Sequence, residues 1–165
     1  MDRFQGDLTG LKDLVAIGLG SNLASNFGHR EGNLREALRR LADLGEVKAV
    51  SNFHDTEPVG YIDQPRFLNA AAVLETSLTP TELMRALLAI EHEMGRERVI
   101  AKGPRVIDLD LLLCGDRVMN TAELTLPHPE MQERRFVLEP LNEIAGDWVH
   151  PVLRITVEEM LRRLE

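Results

Sequence analysis

The spacing of apolar residues divides the chain into strand-like and helix-like stretches. Leu14-Val15-Ala16-Ile17-Gly18-Leu19-Gly20 is an unbroken apolar run of strand length and predicts a buried strand. Gly20-Ser21-Asn22 predicts the turn that ends it, with Gly18 and Gly20 read as turn glycines. From Asn33 to Leu44 the residues Leu34, Ala37, Leu38, Leu41 and Leu44 recur at helical spacing, and Gly45 stops the helix. Val47 to His54 predicts a second strand. Glu57-Pro58-Val59-Gly60 then opens a loop that runs to Pro65, and Phe67 to Thr76 predicts a third strand. Thr79, Pro80 and Glu82 form a capping box with proline in the first turn, and Leu83, Leu87, Ile90 and Met94 continue one apolar face as far as Gly95. Val106 to Leu113 predicts a fourth strand, followed by a turn at Gly115-Asp116. Pro127-His128-Pro129 opens a short helix or turn, and Thr156 with Glu159 caps a last helix over Val157 to Leu164.

The order strand–helix–strand–strand–helix–strand predicts an α+β fold with a ferredoxin-like βαββαβ core. It implies an antiparallel sheet, both long helices on one face, and a C-terminal elaboration. No repeat or linker interrupts the chain, so residues 13–165 are read as one domain behind an extension over 1–12. At 44% hydrophobic and 28% charged residues, disorder is excluded. The one cysteine, Cys114, excludes an internal disulfide framework and a cysteine-rich zinc site. There is no apolar run of membrane length and no signal-peptide core near the start, so a cytoplasmic protein with no membrane partner is expected. The formal net charge of −8 disfavours nucleic acid as a partner.

One short stretch runs against that acidity. Between positions 96 and 105, Arg96, Arg98, Lys102 and Arg105 stand against Glu97 alone. This stretch leads directly into Gly103-Pro104-Arg105-Val106-Ile107-Asp108-Leu109-Asp110-Leu111-Leu112-Leu113. On a strand, Ile107, Leu109, Leu111 and Leu113 would face the core, and Asp108 and Asp110 would share the other face. Carboxylates two residues apart on a strand are ~6–7 Å apart and repel by about 3 kcal/mol at an effective dielectric of ~20. A hard divalent cation between them removes that penalty, and arginines beside it match phosphate oxygens. The other reading is a charged, half-exposed strand face with a solvated basic loop. There is no Gly-x-x-x-x-Gly-Lys-Ser/Thr loop, so a P-loop enzyme is excluded.

Two further features bear on chemistry. Phe67 and Asn69 flank the loop that begins at Thr56, and an apolar wall beside an amide suits a flat heterocycle. Read alone, Phe67 is equally a core residue and Asn69 a turn residue. His128, stiffened by prolines on both sides, is either structural or a phosphate contact. His29, His54, His92 and His150 show no metal-ligand spacing. Trp148 and Met160 read as packing residues.

Taken together these segments resemble the 6-hydroxymethyl-7,8-dihydropterin pyrophosphokinase family of folate biosynthesis. The matching pieces are Gly20-Ser21-Asn22-Leu23, Thr56-x-Pro58-x-Gly60, Gln64-Pro65-x-Phe67-Leu68-Asn69-Ala70 and Glu91-x-x-x-Gly95-Arg96-x-Arg98. They continue with Gly103-Pro104-Arg105-x-Ile107-Asp108-Leu109-Asp110, Leu126-Pro127-His128-Pro129 and Glu133-Arg134-x-Phe136-Val137-Leu138-x-Pro140-Leu141. The resemblance spans roughly residues 14 to 151 in order. It implies the same ferredoxin-like fold and transfer of pyrophosphate from ATP to the pterin hydroxymethyl group, releasing AMP.

By the same resemblance, Asp108 and Asp110 match holders of two magnesium ions, and Arg96 and Arg105 match arginines around the phosphates. Glu91, Arg98, Leu111, Thr125, His128 and Arg134 match positions near ATP. Thr56, Val59, Phe67, Asn69 and Phe136 match the pterin pocket. Lys102 stands where some members carry tryptophan, and Arg135 where many carry a small residue. A monomer acting on ATP and hydroxymethyl-dihydropterin is expected. Two other classes stay open: a non-catalytic ferredoxin-like ligand-binding module, and a magnesium-dependent phosphohydrolase.

Overall fold

The computed structural model of the chain describes residues 12–58, 63–95 and 104–165. In order, the elements of the sheet and its first helical layer are β1 (Asp13–Ser21), α1 (Arg30–Leu41), β2 (Glu46–Val50), β3 (His54–Thr56), β4 (Phe67–Thr76), α2 (Pro80–Glu93) and β5 (Asp108–Cys114). A small hairpin of β6 (Met119–Asn120) and β7 (Thr125–Leu126) follows, then α3 (Arg135–Ala145) and α4 (Val157–Arg162). The sheet runs β2-β4-β1-β5, antiparallel at every pairing, with β3 also on β4. The ferredoxin-like order is thus observed, and both long helices pack on one face. Val15, Ile17 and Leu19 of β1, with Ala70, Ala72 and Leu74 of β4, face Leu34 and Leu41 of α1 and Leu83 and Leu87 of α2.

The other face is covered as well. Ala16, Ala71, Val73, Leu112 and Leu113 pack against Val137, Leu138 and Leu141 of α3 and Val157 and Met160 of α4. Met160 and the partly buried Trp148 both belong to this packing. The helix α3 is not among the predicted elements, and it carries Pro140 inside it, a residue that ordinarily breaks a helix. Pro140 is the sixth residue of α3 and forgoes one helix bond, which the packing of Val137, Leu138 and Leu141 against the sheet offsets. The C-terminal helix keeps its predicted Thr156 cap, with Glu159 N–H donating to Thr156 Oγ1 at 3.1 Å, but ends at Arg162.

Several boundaries differ for local reasons. α1 begins at Arg30, a turn earlier than its apolar spacing, since a polar first turn leaves no trace in hydrophobic periodicity. It also ends before Leu44, whose N–H closes a turn on Leu41 O. A Cβ on Gly45 would collide with the carbonyl oxygen of Glu75, so this turn needs glycine for close approach. The second predicted strand is two pieces. At the break, Ser51 Oγ accepts the Ala71 N–H at 2.9 Å and replaces a ladder bond. β5 starts at Asp108 rather than Val106. The capping box of α2 is present, with Glu82 N–H donating to Thr79 Oγ1 and Thr79 N–H to Glu82 Oε1.

Two corrections concern the site directly. Gly18 and Gly20 are not turn glycines; they lie inside β1. Leu113 does not face the α1/α2 core with Leu109 and Leu111. A bulge opposite Ala16 and Ile17 leaves Leu112 unpaired, so Leu112 and Leu113 both face α3 and Cys114 returns to the α1/α2 side. Of the extension read over 1–12, all but Lys12 lies outside the described residues. Among the described residues, no helix is long and apolar enough to cross a membrane.

Candidate active site

The strand register sets the floor of the site. Asp110 pairs with Gly18, and Asp108 pairs with Gly20. On its other side, Gly20 pairs with Asn69 of β4. Asp108, Gly20 and Asn69 therefore form one row across three strands, and the outer two are about 10 Å apart. The missing side chain at Gly20 is what lets the row open. A Cβ there would stand 2.9 Å from Asn69 Oδ1. The cleft above this floor encloses about 670 Å3, part of it open to solvent.

One end of the cleft is built for a flat ring. Phe67 from β4 and Phe136 from the first turn of α3 line it together with Thr56 and Asn69. Asn69 is only 6% exposed, and its Nδ2 donates to Thr56 Oγ1, which leaves its Oδ1 over Gly20 as a fixed acceptor. The pairing of β3 with β4 sets Thr56 opposite Phe67. Four of the five residues expected around the heterocycle are thereby brought together. The fifth, Val59, lies outside the described residues.

The other end is charged. Arg105 Nη1 pairs with Asp108 Oδ2 at 2.9 Å, and its guanidinium lies 5.0 Å from the Phe67 ring centre. Arg134 stands 5.6 Å from the Phe136 ring and pairs with Glu130. Each aromatic wall thus has an arginine against it, a cation–π arrangement that keeps both guanidinium groups at the cleft. His128 Nε2 lies 3.9 Å from Asp110 Oδ1. Burial pushes the His128 imidazole below its ordinary pKa, and Arg134 adds to that. Burial lifts the Asp110 carboxyl to about 7; the neighbouring charges of Asp108 and Glu91 add to the rise, while Arg134 and Arg105 oppose it.

That elevation bears on whether a divalent cation suits the site. Two hard oxygen donors share one strand face, and one of them is held far above its usual range by burial first and by its acidic neighbour second. A cation between them would relieve the repulsion. Among the described residues no third histidine, cysteine or acid completes a protein-only cage. This donor set fits magnesium, which takes few carboxylates and completes its shell with water and phosphate oxygens.

Other expected residues fall into place unevenly. Glu91 is 4% exposed, and its Oε2 accepts the Leu109 N–H at 2.7 Å, between the two aspartates. The Leu111 side chain is buried against α1 and α2, which leaves its backbone for any ligand. Thr125 is exposed on β7 beside the chain leading to His128. Arg96 and Arg98, with Lys102, lie outside the described residues.

Sequence reasoning missed Gly18 and Gly20 as the floor, and Glu57 at the rim. It also gave no role to Asn22, which clasps the cleft's two flanks. Asn22 Oδ1 accepts the Arg105 N–H at 2.7 Å, and its Nδ2 donates to Gln64 Oε1 and Pro65 O, each at 2.9 Å. The signal was a buried-type polar residue ending an apolar strand.

A family model described as 7,8-dihydro-6-hydroxymethylpterin-pyrophosphokinase (HPPK) matches residues 16–146. The chain belongs to this family. A Bacillus subtilis 2-amino-4-hydroxy-6-hydroxymethyldihydropteridine pyrophosphokinase is 48% identical over 74% of this chain and 74% of its own length. The Pneumocystis carinii folic acid synthesis protein fol1 is 40% identical over 92% of this chain, which spans 20% of that longer protein. Among solved structures, Plasmodium falciparum HPPK-DHPS superposes with a TM-score of 0.72 at 15% identity, over 92% of this chain and 42% of that one, and shares the fold.

Proposed function

We propose that the chain transfers pyrophosphate from ATP to the hydroxymethyl group of 6-hydroxymethyl-7,8-dihydropterin and releases AMP, a step of folate biosynthesis. The observation that carries this reading is the row Asp108–Gly20–Asn69. It joins a carboxylate pair suited to metal-bound phosphates and an amide suited to a heterocycle edge in one cleft, about 10 Å apart. That span matches a ring whose exocyclic alcohol must reach a phosphate chain.

Each group then has a part. Phe67 and Phe136 sandwich the ring, and Asn69 Oδ1 accepts from its N–H edge while Thr56 fixes the amide. Arg105 and Arg134, with Arg96 and Arg98 as further candidates, neutralise and orient the phosphates, and His128 donates to a phosphate oxygen. Asp108 and Asp110 would hold two magnesium ions, and Glu91, Leu111 and Thr125 would border the nucleotide. When bound, magnesium supplies charge neutralisation across the phosphates and lowers the cost of ionising the alcohol. The alcohol oxygen gives up its proton to solvent and bonds to the β-phosphorus, the bond from that phosphorus to the α-phosphate oxygen breaks, and AMP departs with that oxygen.

No serine, cysteine or lysine lines the described cleft, which supports direct transfer by positioning and electrostatics. We also propose that the protein acts as a monomer in the cytoplasm.

The test is AMP release from ATP and magnesium. AMP that appears only when the pterin is added supports the transfer. Phosphate or ADP release without pterin supports hydrolysis instead, and ligand binding with no turnover supports a binding module.

A further inference from the structure

The two walls of the heterocycle slot belong to different layers. Thr56 and Phe67 lie on β3 and β4, whereas Phe136 rides on α3. β3 has only three residues and, among the described residues, pairs with β4 alone. So short an edge strand has few ladder bonds to hold its angle. Its outer flank is tied toward α1 and the start of β4. Asp55 takes Arg30 Nη2 at 3.2 Å and Arg66 Nε at 2.8 Å. What ties it toward α3 is a carboxylate. Glu143 Oε1 accepts the Asn52 N–H at 2.8 Å, and Glu143 Oε2 meets His54 Nε2 at 2.6 Å.

Phe136 and Glu143 are about two turns apart on the same helix, so they share one stripe of α3. The helix thus carries one wall of the slot at its start and grips the strand bearing the other wall further along. We propose that Glu143 is a positioning residue for the acceptor site: it sets the gap between Phe136 and the Thr56–Asn69 pair without touching substrate. This rests on the reading of the slot as the pterin site. Both arms of the clip end on groups just ahead of Thr56, so releasing them frees Thr56, and with it the partner of the Asn69 amide. Asn52 and His54, which Glu143 grips, lie ahead of Thr56, whereas Arg105 at the nucleotide end is held by Asn22 and Asp108. The loss therefore falls mainly on the acceptor.

The experiment measures acceptor and ATP KM, kcat, and the affinity for a non-hydrolysable ATP analogue with magnesium. It compares wild type, Glu143→Gln and Glu143→Ala. Glu143→Ala is expected to raise the acceptor KM about five-fold, with the nucleotide affinity within two-fold of wild type. Glu143→Gln keeps an acceptor for the Asn52 N–H and is expected to fall between them. An unchanged acceptor KM in Glu143→Ala, or an equal loss for both substrates, overturns the proposal. If Glu143→Ala does not fold, Glu143→Gln decides: a selective rise in acceptor KM supports the clip, and parity with wild type ends it. Wild-type protein that neither binds nor turns over the acceptor overturns the functional reading and this inference together. A working wild type beside an indifferent Glu143→Ala overturns the inference alone.

Discussion

Adding one methyl group at Gly20 tests the geometry of the site directly. In Gly20→Ala the new Cβ would stand 2.9 Å from Asn69 Oδ1 and 3.8 Å from Phe67 Cδ1. Carbon–oxygen contacts ordinarily begin near ~3.3 Å, so the amide oxygen must give way by about 0.4 Å. Its freedom to do so is small, because the Nδ2 end is bonded to Thr56. Either that bond stretches or the oxygen turns away from the ring it should receive. Losing one well-placed hydrogen bond, with a buried polar atom left short of a partner, costs about 1.5–3 kcal/mol, or roughly 10- to 150-fold in acceptor affinity.

The fold itself should tolerate the change, since alanine is better than glycine in a strand by ~0.5–1 kcal/mol. The assay is calorimetric titration of 6-hydroxymethylpterin into protein loaded with magnesium and a non-hydrolysable ATP analogue. Gly18→Ala is the control: its Cβ meets Leu112 at 3.5 Å, an ordinary contact. Coupling is checked in an Asn69→Ala background, where most of the Gly20→Ala penalty should vanish. Acceptor affinity within two-fold of wild type in Gly20→Ala, or equal losses at Gly18 and Gly20, would refute the reasoning.

Other positions give independent tests. Asp110→Asn should abolish AMP formation yet raise the melting temperature at pH 8, because it removes a partly buried charge that faces Asp108; a lower melting temperature would show the carboxylate to be structural. Asn22→Ala breaks three hydrogen bonds across the cleft's flanks, and it should cost about 2–3 kcal/mol and lower the melting temperature by roughly 4–10 °C, read by thermal denaturation; an unchanged melting temperature argues against the clasp. His150 is 5% exposed, its Nδ1 accepts the Val152 and Leu153 N–H groups, and burial holds its pKa below the ordinary value. The unfolded chain therefore takes up a proton that the folded one refuses, and stability should fall as pH drops below about 6.5. Comparing melting curves from pH 7.5 to 5.5 in wild type and His150→Asn checks this; identical slopes would count against it.

The sequence carries the core of the fold because hydrophobic periodicity is strong there. The stripe of α2 and its Thr79–Glu82 box leave little choice, and the ten-residue β4 is matched end to end. What is illegible depends on tertiary context. A proline inside a helix looks like a stop until packing against Ala71 and Val73 makes α3 worth keeping. A serine that stands in for a ladder bond at position 51 cannot be told from an ordinary strand serine. At the site, Asp108 and Asp110 are visible as a pair because their spacing fixes a shared face. The glycines opposite them are not, since a strand glycine and a turn glycine look alike until the register is known. Glu143 gives no local sign at all; its partners are about ninety residues away.

The unpaired residue at Leu112 splits β5 into halves that obey different rules. Upstream, alternation sends every second side chain, each an acid, to the cleft; downstream, two leucines in succession face α3. The greasy half then works as a ratchet pawl. Sliding the strand by one position would drive Asp110 in among the helices and push leucine out into water, so the register of the acids against the glycines of β1 is held by the apolar half of the strand as well as by the Arg105–Asp108 pair.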